Sequence, residues 1–145
     1  MMARIKLIIP ETKVFTARIP VRITDINYGN HVGNDALVSI IHEARIQWLA
    51  SGKFSEMNIS GPGLIMSDLA VEYKAESFYG DILSVKIAVS EIQKISFEVF
   101  YEITAERSGK NILITKAKTG MVCYDYGAKK VATMPEEFEM FLTSF

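Results

Sequence analysis

Residues 24–51 read TDINYGNHVGNDALVSIIHEARIQWLAS, a polar segment that turns abruptly into a periodic one. The first eleven residues, Thr24 to Asn34, are dense in Asp, Asn and Gly, which tolerate left-handed backbone and make side-chain turns, so they predict a loop. From Asn34 or Asp35, either of which suits a helix cap, Leu37, Ile40, Ile41, Ala44 and Trp48 recur at i, i+3 and i+4. That spacing predicts one long helix with a single apolar face, ending near Ser51-Gly52.

Outward from this helix the period changes from 3.6 to 2. Upstream, Lys13 to Ile23 places Phe15, Ala17, Ile19, Val21 and Ile23 on one face and Thr16, Arg18 and Arg22 on the other, a half-buried strand. Pro20 lacks an N–H for a ladder, which puts that strand at or near an edge. Downstream, after the breaker Ser60-Gly61-Pro62-Gly63, come three or four strand-like runs, over 64–75, 82–92, 95–106 and 111–124. Their separators, Phe78-Tyr79-Gly80-Asp81, Gln93-Lys94 and Ser108-Gly109-Lys110, are short enough for antiparallel hairpins. Pro135-Glu136-Glu137-Phe138 sets proline and carboxylates at the start of a short terminal helix. The order strand, helix, then long antiparallel strands predicts an α+β fold in which one helix covers one face of the sheet.

At 145 residues and 49% hydrophobic content the chain suits one domain. Sixteen Lys plus Arg against seventeen Asp plus Glu leaves a net charge of −1, which argues against a phosphate-neutralising surface and so against nucleic acid as a partner. A lone cysteine, Cys123, excludes an internal disulfide, and no Cys/His cluster offers a metal site; a reducing cytoplasm fits. The apolar run Leu7-Ile8-Ile9 is far shorter than the roughly 18 residues of a membrane span and has no cleavage pattern, so neither a signal peptide nor a transmembrane helix is expected. A mean hydropathy of +0.17 is high for so short a monomer and points to subunit association.

The polar loop is the main functional signal: Asp25, Asn27, Asn30, Asn34 and Asp35 lie within eleven positions, with His31 among them. Free N–H groups at the helix start, with the dipole behind them, make a site for a carboxylate, a phosphate or a developing oxyanion. Glu43 follows Asp35 by eight residues, about 12 Å along the axis, so it meets a helix start only if a second, antiparallel subunit supplies one. The plainer reading is an exposed Glu43 paired with Gln47 or Arg45. His42 reads as a helix-surface residue and Cys123 as packing. GxGxxG, GxxxxGK[ST] and GxSxG are absent, which removes the sequence support for a nucleotide-phosphate loop of those types and for a serine hydrolase.

Read together, Thr24-Asp25-Ile26-Asn27-Tyr28-Gly29-Asn30-His31-Val32-Gly33-Asn34 and the following Glu43-Ala44-Arg45 resemble the D-x-D-x-x-G-H-V-N-N region of hotdog-fold acyl-CoA thioesterases of the 4-hydroxybenzoyl-CoA thioesterase type, with similarity also to acyl-carrier-protein thioesterases. Val71-Glu72-Tyr73-Lys74-Ala75, Tyr79-Gly80-Asp81, Lys116-Ala117-Lys118-Thr119 and Met134-Pro135-Glu136-Glu137-Phe138 follow in the family's order. The resemblance covers nearly the whole chain and implies a single hotdog domain over residues 1–145, a long antiparallel sheet wrapped around one central helix. It further implies a homodimer with joined sheets, or a homotetramer, with the site between subunits. The implied reaction is hydrolysis of an acyl-CoA or acyl carrier protein thioester with no metal and no held cofactor.

Two positions depart from the pattern. Asn27 stands at the family's second aspartate and cannot serve as a carboxylate; Gly33 stands at the first Asn of its N-N pair. Base duty would then pass to Asp25, His31 or Glu43, and another hotdog branch, which uses a helix carboxylate from the facing subunit, favours Glu43. His31 would orient water or the carbonyl, and backbone N–H groups at Gly33 and Asn34 would hold the oxyanion, with Tyr28 near the substrate. The competing expectations are an acyl-CoA-binding protein without catalysis, which Asn27 favours, and a hotdog hydratase or dehydratase, for which the matching segments are missing.

Overall fold

The structure, a computed structural model, describes residues 4–12 and 15–144. Its order is β1 (Phe15–Pro20), a 3₁₀ turn (Ile23–Asp25), α1 (Asn34–Ser51), β2 (Gly63–Tyr73), β3 (Ile82–Ser90), β4 (Ser96–Arg107), β5 (Lys110–Asp125), β6 (Lys130–Val131) and α2 (Glu136–Ser144). The strands form one antiparallel sheet in the order β1-β3-β4-β5-β2, with β6 on β5. This is the α+β hotdog arrangement, a long sheet wrapped around α1.

Alternation on the central strands explains the core. Leu83, Val85 and Ile87 of β3, Phe97, Val99, Tyr101 and Ile103 of β4, and Ala117, Met121 and Cys123 of β5 are buried, and they close on Leu37, Ile40, Ile41, Ala44 and Trp48 of α1. Each large apolar side chain removed from water in this way contributes about 1.5–3 kcal/mol, which far outweighs the helix propensity of α1. α2 completes the plug: Phe138 lies 5.6 Å from Phe97 and 5.1 Å from Phe54, ring centre to ring centre. Burial pushes the Cys123 thiol up to about 11, which leaves it protonated and inert, as packing requires.

Several local expectations are corrected. The start of the predicted first strand, Lys13 and Val14, lies outside the described residues, and the strand ends at Pro20 on the sheet edge; beyond it the 3₁₀ turn rotates Ile23 out to 68% exposure. The helix cap is Gly33, not Asn34 or Asp35, because Asn34 already has helical position and spends its Oδ1 on the Asp35 N–H. The separator Phe78–Asp81 is not a hairpin: β2 and β3 lie at opposite sides of the sheet, on β5 and β1. The chain crosses between them over the start of α1, its backbone held in turn by the Ile114, Val32 and Val21 peptide groups through bonds of Lys74 and Ala75 N–H to Ile114 O, Val32 N–H to Ser77 O, and Val21 N–H to Asp81 O. The other two separators are hairpins, as expected.

Candidate functional site

The crossing segment and the polar loop together roof a cavity of about 430 Å³ at the start of α1. Asn27, His31 and Asn34 stand on its loop side, Lys74, Glu76 and Ser77 on its roof, and Leu37, Tyr73, Ile114 and Thr115 line the remainder. The Val32 N–H to Ser77 O bond, 2.8 Å, joins the two walls.

Asn27 is an Asx-turn residue. Its Oδ1 accepts the Gly29 N–H at 2.9 Å and, at the limit of bonding, the His31 N–H at 3.5 Å. Its remaining polar group is Nδ2, a donor. Asn30, at φ 65°, takes the left-handed turn that the loop needs.

His31 is oriented by its own neighbour. Nδ1 lies 3.2 Å from Val32 O, and since a carbonyl only accepts, Nδ1 carries the proton in that bond. In the neutral ring Nε2 is then a lone-pair acceptor. The Glu76 carboxylate lies 3.9 Å from Nε2. Glu76 was absent from the sequence expectations; the quoted segment Val71–Ala75 stops one residue before it. Nothing in linear spacing joins residue 76 to residue 31; the bond between Val32 and Ser77 does.

The other expected site residues fall elsewhere. Asp25 is 5% exposed and its carboxylate accepts the Arg22 backbone N–H at 2.8 Å and the guanidinium at 3.2–3.4 Å, so it pins the 3₁₀ turn and does not line the cavity. Tyr28 points fully into solvent. The Gly33 N–H donates to Asp25 O, 3.1 Å, and is therefore spent, whereas Asn34, first in the helix, has no intrahelical acceptor for its N–H. Glu43 is exposed and accepts Gln47 Nε2 at 2.8 Å, the plainer of its two expected arrangements. It lines a separate groove with Arg18, Arg22 and Ile46, so a single chain does not bring it to Asn27 and His31.

His42 is on the helix surface as expected, but it ends a polar chain that the sequence did not disclose. Its Nε2 lies 2.6 Å from Glu56 Oε1; Glu56 Oε2 accepts Arg45 Nε at 2.7 Å; Arg45 donates to Tyr101 Oη at 3.1 Å, which lies 2.7 Å from Thr119 Oγ1. Burial works against the Glu56 charge, yet the bonds and charges of Arg45 and His42 outweigh it and hold the carboxyl below its ordinary range.

The roof is anchored by Asp81, which accepts the Phe78 N–H at 2.9 Å and the Arg107 guanidinium at 2.6 Å. The Arg107 hydrogen bond holds the Asp81 carboxyl below the usual range, with the Phe78 N–H and the Arg107 charge assisting against burial. A depressed carboxyl stabilises above its unfolded pKa, about 4, and loses that contribution as pH falls through the folded value. Hydrogen exchange at the Phe78 amide is therefore expected to accelerate below about pH 4, beyond the intrinsic trend, in the wild type but not in Asp81→Asn, where the charged anchor is already gone.

Among the described residues no helix is long and apolar enough to cross a membrane, and no group of His, Cys, Asp and Glu is arranged to hold a metal. The model of the thioesterase-like superfamily matches residues 21–142. Among solved structures, the 1,4-dihydroxy-2-naphthoyl-CoA thioesterase of Synechocystis is similar at 25% identity and a TM-score of 0.81, covering 92% of this chain and 98% of its own. The 4-hydroxybenzoyl-CoA thioesterase of Pseudomonas sp. strain CBS-3 is similar at 13% identity and 0.79, over 90% and 99%. A mutant of 4-hydroxybenzoyl-CoA thioesterase in complex with 4-hydroxybenzoyl-CoA is similar at 14% identity and 0.80, over 89% and 98%. No curated protein matches the chain significantly by sequence.

Proposed function

The chain belongs to the thioesterase-like superfamily, and from that premise we propose that it hydrolyses the thioester of an acyl-CoA, releasing a free acid and the thiol, in the cavity at the start of α1. The observation that carries this reading is the convergence there of one acceptor nitrogen, one carboxylate, one amide donor and a helix N-terminus. Water attacks the carbonyl carbon while His31 Nε2 takes its proton; the resulting imidazolium stands 3.9 Å from the Glu76 carboxylate. The oxyanion forms against the Asn34 N–H and the positive end of α1, with Asn27 Nδ2 as a further donor. Collapse breaks the carbon–sulfur bond, and the departing sulfur takes the proton back from the His31 imidazolium, releasing the thiol and restoring the neutral ring.

His31 is preferred over Glu43 because it lines the cavity within the one chain, while Glu43 lies in a separate groove and requires a second copy. A second copy is itself part of the proposal. Among the described residues the one strand paired with β2 is β5, and its other edge, beside exposed Met66, Leu69 and Tyr73, is where a homodimer would continue the sheet and two such pairs would give a homotetramer. Glu43 from that copy is the alternative base. Acyl carrier protein is the alternative thiol carrier.

Free-thiol release from short, medium, long and aromatic acyl-CoA esters tests the reading, with wild type and Asn27→Asp run in parallel. Wild type is expected to release thiol from at least one class. Asn27→Asp keeps an acceptor for the Gly29 and His31 N–H groups, so it folds, but it replaces a donor by a charge that repels the oxyanion; turnover about tenfold lower is expected. No release from any ester by folded wild-type protein would overturn hydrolysis in favour of acyl-CoA binding alone.

A further inference from the structure

We infer that the Ser77 hydroxyl is a further catalytic donor, which hydrogen-bonds the thioester carbonyl from the roof of the cavity and holds the oxyanion opposite the Asn34 N–H; the inference rests on the thioesterase reading above. Ser77 lines the cavity and is only 3% exposed, yet among the described residues its Oγ has no hydrogen-bond partner. Buried hydroxyls are normally paired, because an unmade bond leaves the desolvation of the group uncompensated. Alanine would occupy the position without that cost, so the hydroxyl stands available to a ligand. Exposure alternates along the crossing segment: Glu76 and Phe78 are exposed, and Ser77 between them is buried and turns inward.

The backbone on both sides of this hydroxyl is fixed. Arg107 Nη2 donates to Glu76 O at 2.8 Å, the Val32 N–H donates to Ser77 O at 2.8 Å, and the Phe78 N–H donates to the Asp81 carboxylate at 2.9 Å. Three successive residues are each tied down, while the side chain in the middle bonds nothing in the fold. A donor held by its backbone and left without a protein acceptor is preorganised for charge that develops during the reaction, and no rearrangement is needed when it does. The Val32–Ser77 bond also sets Ser77 across the cavity wall from a residue two positions before Asn34. A carbonyl oxygen drawn to the helix start by the Asn34 N–H then receives its other donor from the roof. The oxyanion is the stronger acceptor, so the Ser77 bond tightens as the carbonyl is attacked and lowers the barrier. Ser77 keeps its own proton throughout; the proton of water goes to His31.

The test is thiol release by wild type, Ser77→Ala and Ser77→Cys with the most reactive ester of the panel, with melting temperatures on the same preparations. Alongside it, the carbonyl stretch of that ester, isotope-labelled at the thioester carbon, is read in His31→Gln protein with and without Ser77→Ala. Ser77→Ala is expected to lower kcat by about 10²-fold with KM changed by less than about threefold. It should melt at the wild-type temperature, because no bond of the fold is removed, and raise the carbonyl frequency, because a donated hydrogen bond weakens the C=O bond. Ser77→Cys, similar in size but a weak donor, should fall close to Ser77→Ala. Unchanged kcat in Ser77→Ala, wild-type turnover in Ser77→Cys, a lower melting temperature for Ser77→Ala or an unmoved carbonyl band would each overturn the inference while leaving hydrolysis in place. An acyl group found covalently on Ser77 in protein quenched during turnover would overturn it too, since the hydroxyl would then be the nucleophile. Thiol release from no ester would instead overturn the thioesterase reading, and this inference with it.

Discussion

Replacing His31 with glutamine is expected to lower kcat for thioester hydrolysis by about 10²- to 10⁴-fold, the range that a positioned general base supplies. The loss should fall on kcat more than on KM, since in the proposed mechanism the ring meets the attacking water and not the body of the substrate. Stability should change little: among the described residues the hydrogen bond of the ring is Nδ1–H to Val32 O, and His31 is only half-buried. Glu76→Gln should reproduce part of the defect, about tenfold, because it withdraws the carboxylate 3.9 Å from the nitrogen that becomes charged. Glu43→Gln is the control that separates the two bases. A collapse in Glu43→Gln with normal turnover in His31→Gln would transfer the proton to a helix carboxylate from a second copy. The measurement is thiol release under saturating ester, with melting temperatures on the same preparations.

The largest expected effect on stability belongs to Glu56→Ala. The Arg45 side chain is 7% exposed, and Glu56 supplies its charge partner at 2.7 Å. Removing one member of a buried pair strands the other charge, which costs about 3–5 kcal/mol, and for a chain of this size that lowers the melting temperature by roughly 10 °C. The double variant Arg45→Met, Glu56→Met should recover much of the loss, because no charge is then left in the core, although Tyr101 must rely on Thr119 alone. The gap between wild type and Glu56→Ala should also close in acid. The Glu56 carboxyl is depressed in the fold, so its contribution is complete above its unfolded pKa, about 4.3, and is lost as pH falls through the folded value. Thermal melts at pH 7 and pH 3 measure both effects.

This polar chain shows why part of the molecule was not legible beforehand. Arg45 occupies a position between Ala44 and Trp48 that periodicity assigns to the edge of the apolar face, and Glu56 sits in an irregular segment eleven residues away. Their pairing depends on how that segment folds back beside α1, which no spacing rule encodes. Glu76 presents the same problem. The order of elements correctly gave two hairpins, but the third separator, also short, crosses the molecule instead. That crossing, fixed by backbone bonds at Ile114, Val32 and Val21, is what carries Glu76 and Ser77 over the helix start.

The sequence by itself determined the elements and their faces: α1 from its 3.6-residue period, the long strands from their alternation, the edge position of β1 from Pro20, and the polar loop from its Asp, Asn and Gly content. These follow from local sterics and from which side chains leave water, and both are written in neighbouring residues. Tertiary structure decided the site. It spent the Asp25 carboxylate on Arg22 and the Gly33 N–H on Asp25, turned Tyr28 to solvent, separated Glu43 from the cavity, and set Glu76 beside His31. A hydrogen-bonding group has only a few partners, and which ones it meets depends on contacts between segments tens of residues apart, so its availability for chemistry is settled only when the sheet closes around the helix.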